Sequence, residues 1–108
     1  MSRFHQRLRQ DLRDPEVAAD FYQATAEIVL MQALEEARQV FELTDRELAE
    51  RMGIPRESVT RLFNAENANP KLSTIVGLLS ALGLRAEITL RRASPDEAPV
   101  EAKFVRPA

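Results

Sequence analysis

Residues 45–64 read DRELAERMGIPRESVTRLFN, and the spacing inside this stretch decides the fold. Gly53 follows Ala49 by four residues, Val59 follows Gly53 by six, and Leu62 follows Val59 by three. The run Thr44-Asp45-Arg46-Glu47 just upstream is a capping box, a threonine cap with a glutamate three residues on, and it starts a short helix that ends at Met52. Gly53 stops that helix, and Pro55 opens the next at its first position, with an end near Asn64. Two short helices therefore cross around one glycine. Ala49 must be small where the second helix passes over the first, and Gly53 supplies the positive φ that a tight turn needs. Leu48, Ile54, Val59 and Leu62 complete the apolar contact of the pair.

Working outward, no Gly or Pro occurs from Glu16 to Met52. Asp14 as cap, Pro15 at the first helical position and Glu16 in the first turn mark a helix start. Val17, Phe21 and Ala24 form one stripe, and Leu30, Leu34, Ala37 and Phe41 form a second. The stripes predict two helices, about 15–24 and 26–42, either separate or continuous. Before them, Arg3, Arg7, Arg9 and Arg13 accompany Phe4, Leu8 and Leu12, which lie four apart on one helix face. Downstream, 65–70 is a polar loop, and Leu72, Ile75, Val76, Leu79 and Leu82 give a helical stripe stopped by Gly83. From Arg85 to Arg91 the period changes to two, with Ala86, Ile88 and Leu90 on one side, which predicts a half-buried strand. Its partner is either its own copy across a twofold axis or residues 100–106 in a hairpin. The proline-bearing stretch 93–108 reads as a disordered tail.

The expected architecture is thus mainly α. It has five helices, a helical extension over 1–25, a central domain over 26–84, and one dimerising strand over 85–92. Composition narrows the function. At 108 residues and 44% apolar, the chain supports one modest core. It has no cysteine and one histidine, His5, so a thiolate metal site, a disulfide or a histidine triad is not expected. No nucleophile–base pair stands out, so neither an enzyme nor a cofactor is expected. No apolar run approaches the roughly 20 residues that span a bilayer, and the N-terminus is polar, which points to a cytoplasmic protein without a membrane partner.

The outward face of the second short helix carries Arg56, Glu57, Ser58, Thr60 and Arg61, the types and positions suited to a major groove. Arg56 would take a guanine bidentately and Thr60 would touch a thymine methyl; Glu57 would accept from a cytosine amine or pair with Arg61. Arg61 suits a phosphate, and with Arg46, Ser58, Asn64 and Lys71 makes up the expected backbone contacts. The net charge is −2, and only Lys71 and Lys103 among 15 basic residues are lysines. That balance makes one copy a weak DNA binder and favours a homodimer on a pseudo-palindromic double-stranded operator, joined through Ala86, Ile88 and Leu90.

The stretch LTDRELAERMGIPRESVTRLFNAENANPKLSTIVGLLSALGL, residues 43–84, resembles the Xre/Cro-repressor-like helix-turn-helix family, and the likeness extends over about 26–84. The N-terminal region beginning DPEVAADFY and the run after the last helix look like the HigA-type antitoxin branch. The resemblance implies a lambda-repressor-like arrangement of the five helices and a transcriptional repressor that is the antitoxin of a type II toxin–antitoxin pair, restraining its own operon and binding an RNase toxin of the RelE type. A protein-interaction module without DNA affinity and a stand-alone or phage-type repressor are the alternatives. Two positions depart from the family pattern. Asp45 stands where members often have glutamine, and Pro55 where they usually have a serine or threonine cap.

Overall fold

The computed structural model describes residues 13–64 and 69–107. Among them the chain forms four helices: α1 (Pro15–Val40), α2 (Asp45–Met52), α3 (Arg56–Leu62) and α4 (Leu72–Leu82). The expected helix face of Phe4, Leu8 and Leu12 lies outside the described residues, as do His5, Glu66 and Asn67.

Two expectations are corrected. The first is the helix count: four helices stand where the stripes predicted five, because 15–24 and 26–42 are one helix. Nothing in the sequence interrupts it, and Thr25 is accommodated by donating its hydroxyl to the Phe21 carbonyl at 2.8 Å. The second is the strand: among the described residues 85–92 form no backbone ladder, and no strand occurs. Alternation describes side chains, whereas a strand also needs a ladder partner. Residues 100–106 do not supply one. Phe104 instead packs edge-on against Phe41, with centroids 5.6 Å apart, and Arg106 reaches Glu36 on α1 at 3.4 Å.

α1 starts where Asp14 accepts from the Glu16 amide at 3.0 Å. It ends in a Schellman motif: the Leu43 N–H donates to the Arg38 carbonyl and the Glu42 N–H to Gln39. Glu42 holds the left-handed position there, at φ 56°, which glycine or asparagine usually takes. At about 1.5 Å per residue, α1 is about 39 Å long. Only Leu34 and Ala37, in its C-terminal third, are buried.

The core is small and central. Leu34 of α1, Leu48 and Ala49 of α2, Val59 of α3, and Ile75, Leu78, Ala81 and Leu82 of α4 make one cluster. Leu48, Val59 and Leu78 are completely enclosed. The buried face of α4 differs from the one its stripe suggested: Leu72 and Val76 point outward, at 77% and 55% exposure. α4 is apolar on several sides, so periodicity alone does not select the face that packs.

Candidate nucleic-acid interface

α2 begins with the reciprocal cap written in its sequence. The Glu47 amide donates to Thr44 Oγ1 at 3.1 Å, and the Thr44 amide to Glu47 Oε1 at 3.3 Å. It ends at Gly53, φ 67°, and the Ile54 N–H turns back to the Ala49 carbonyl at 3.1 Å. A Cβ at Gly53 would meet nothing within 4 Å, so the backbone angle, not space, is what asks for glycine. The chain then enters α3 through Pro55, an N-cap without a side-chain bond. Val59 anchors α3 in the core, while Ile54 and Leu62 pack partly buried against it.

With Val59 inward, the opposite side of α3 is open. Arg56, Glu57, Thr60, Arg61 and Asn64 are exposed, and Ser58 is half-buried. Among the described residues neither Arg56 nor Arg61 forms an ion pair, and the Glu57–Arg61 pair that their spacing allows is not made. Two arginine forks therefore face outward with their donors uncommitted, as recognition of a phosphate or a guanine edge requires. Arg46 is exposed and pairs with Glu50 at 3.5 Å, a surface contact that holds it weakly. Lys71 is exposed at the N-cap of α4.

Between α2, α3 and α4 runs an open groove of about 890 Å³. Ser58 and Arg61 line it from α3, Asn69, Ser73 and Thr74 from the start of α4, and Met52 and Leu62 supply apolar wall. The sequence reading passed over Ser73 and Thr74, since hydroxyls on a helix carry no spacing signal. It also passed over Arg51, whose guanidinium donates to the Ala81 carbonyl at 2.9 Å and so closes the end of α4.

The largest unread feature is Arg38. Its guanidinium donates to Glu35 at 3.0 and 2.5 Å, to the Leu43 carbonyl at 3.2 Å, and lies 5.2 Å over the Phe63 ring. It also reaches Asp45 Oδ1 at 3.3 Å, while Asp45 Oδ2 accepts from the Thr60 hydroxyl at 2.8 Å. The Glu35 hydrogen bonds raise the Arg38 pKa above its ordinary value against the cost of desolvation, and the charges of Glu35 and Asp45 add to the rise. One arginine thus ties the end of α1 to the start of α2 and, through Asp45, to α3. Asp45, the departure from the family's usual glutamine, would repel phosphate if bare; in the fold its charge is offset by Arg38. Thr60 is exposed on α3 with its hydroxyl engaged by Asp45.

Ala86, Ile88 and Leu90, the residues expected at a dimer contact, are all exposed, Ile88 at 84% and Leu90 at 90%. Among the described residues no three His, Cys, Asp or Glu side chains are placed to hold a metal, and no helix is long and apolar enough to cross a membrane. A model of the helix-turn-helix family matches residues 34–88, just over half of the chain. No curated protein and no solved structure matches it.

Proposed function

Since the chain belongs to the helix-turn-helix family of DNA-binding transcription regulators, we propose that it is a sequence-specific repressor in which α3 reads the major groove of an operator. The observation that carries this reading is the outward face of α3, where the uncommitted forks of Arg56 and Arg61 stand on a helix pinned from behind by Val59. Arg56 reads a guanine edge, Glu57 and the Thr60 methyl contact neighbouring bases, and Arg46, Ser58, Arg61, Asn64 and Lys71 hold the phosphate backbone. A gel shift on the DNA upstream of its own reading frame tests it. A discrete, salt-sensitive complex that a scrambled duplex fails to compete away supports the reading, and competition by both duplexes alike removes it.

The repressor acts as a homodimer on a pseudo-palindrome. Over residues 45–71 the basic residues 46, 51, 56, 61 and 71 are matched by the acidic 45, 47, 50, 57 and 66, so one copy neutralises little phosphate charge. Two copies spaced about 34 Å apart read successive grooves together. Ala86, Ile88 and Leu90 are apolar, exposed and follow the last helix, which suits a contact between copies.

The finer assignment is the antitoxin of a type II pair, restraining its own operon and an RNase of the RelE type. It rests on the long helical region ahead of the motif and the segment after α4. Co-expression with the product of the adjacent reading frame tests it: growth arrest relieved by this chain supports the pairing, and a neighbour that is harmless alone leaves a stand-alone repressor.

A further inference from the structure

The N-terminal half of α1 carries an apolar stripe that the core does not use. Val17, Phe21 and Ile28 are 42%, 38% and 53% exposed, and Ala24 between them is exposed as well. Their spacing of four, three and four residues is that of a coiled-coil seam, the arrangement by which one helix accepts another. Asp20 and Glu27, seven residues apart, border the seam on one side, while Ala18 and Thr25 border the other. Among the described residues neither Asp20 nor Glu27 forms an ion pair. No basic residue occurs between Arg13 and Arg38.

We propose that this stripe is a docking surface for a basic amphipathic helix of a partner protein, seated on Val17, Phe21, Ala24 and Ile28 with its lysines or arginines against Asp20 and Glu27. The charge pattern favours this occupant over an antiparallel second copy. An antiparallel second copy would set Asp20 against Glu27 at the seam edge, and like charges at those positions oppose pairing. A basic helix turns the same two carboxylates into attractive contacts. Because the stripe lies outside the core cluster, it can be altered without loosening the helix-turn-helix. The inference does not depend on the DNA reading.

The experiment is calorimetric titration of the full chain with two synthetic helical peptides, one of leucine and lysine, the other of leucine and glutamate with the same apolar face. The leucine–lysine peptide should bind the wild type and the leucine–glutamate peptide should not. Phe21→Glu and Ile28→Glu should each weaken the lysine peptide about tenfold or more, the size expected for losing one buried anchor. Val105→Glu adds the same charge at an exposed apolar side chain outside the stripe and should leave binding unchanged. Replacing both carboxylates, Asp20→Lys with Glu27→Lys, should transfer the preference to the glutamate peptide, a reversal that misfolding cannot produce. Unchanged circular dichroism and operator affinity keep the DNA reading separate. Equal binding of both peptides, or equal loss in Phe21→Glu and Val105→Glu, overturns the proposal. So does a wild-type dimer in sedimentation that Phe21→Glu dissociates, because a second copy then occupies the stripe.

Discussion

At the N-terminus of α2 an aspartate stands beside α3, the helix proposed to read DNA, where a bare negative charge would repel the phosphate backbone. Arg38 makes Asp45 tolerable, pairing with one carboxylate oxygen while Thr60 donates to the other. Both charged side chains are mostly enclosed, at 22% and 26% exposure, so the contact is screened less than a surface pair. Arg38→Met should leave Asp45 uncompensated, lower DNA affinity by about 1–3 kcal/mol and lower the melting temperature, since the Phe63 and Leu43 contacts go too. Adding Asp45→Asn to Arg38→Met should recover most of the DNA affinity but little of the melting temperature. A binding titration and a thermal melt on the single and double variants check both halves. If Asp45→Asn recovers neither, the aspartate is not what Arg38 neutralises. This arrangement was not legible in the sequence. Asp45 could be read as a departure, but its partner lies seven residues upstream on another helix, and a contact made by chain direction rather than by periodicity has no spacing signature.

Two turns at the scale of elements carry opposite signs of the same backbone effect. Gly53 and Glu42 both hold the left-handed conformation at a helix end, at φ 67° and 56°. Gly53→Ala should destabilise the fold by about 1 kcal/mol through the angle alone, since nothing lies within 4 Å of the added methyl. Glu42→Gly should stabilise it by up to about 1 kcal/mol, because the relief of left-handed strain exceeds the added freedom of the unfolded chain. Chemical denaturation of the two variants against the wild type measures both, and equal signs would contradict the account. A third element, the turn over 91–97, is held by a forked Arg91–Glu97 contact and by the Ser94 amide donating to Glu97 at 2.8 Å. These bonds, Arg91 first, lower the Glu97 pKa from 4.5 to about 2. A lowered carboxylate pKa means the turn's contribution is present above the ordinary value and is lost as the pH falls from about 4.5 through about 2. A carboxyl-carbon NMR titration should find Glu97 near 2 in the wild type and raised toward its ordinary value in Arg91→Ala, where the Ser94 bonds still lower it. α2 and α3 were legible because capping box, glycine and proline are local chemistry. The strand over 85–91 was misread because alternation reports two-sided side chains, while pairing depends on a neighbour that the single chain does not provide. The continuous α1 was left open because its two stripes lie on different faces of one unbroken helix: the first stays exposed and only the second reaches the core.

For the whole molecule, the proposed repressor gains its affinity by bringing two weakly charged units onto one duplex. Ile88→Asp with Leu90→Asp removes exposed apolar side chains that make no contribution to the core cluster. The variant should keep its helical spectrum and melting temperature, sediment as a monomer, and bind operator DNA orders of magnitude more weakly, since the half-sites then bind singly. A variant that remains dimeric would move the contact between copies elsewhere on the surface.

The central claim is that α3 reads DNA sequence, and selection from a random duplex library followed by anisotropy titration of the selected site with wild type and Arg56→Ala tests it most directly. The account predicts enrichment of a pseudo-palindrome with half-sites about one helical turn apart, a loss of about 1–3 kcal/mol for Arg56→Ala on that site, and relaxed preference at a single position of each half-site. No enriched sequence, or an Arg56→Ala variant that binds selected and random duplexes just as the wild type does, would contradict it.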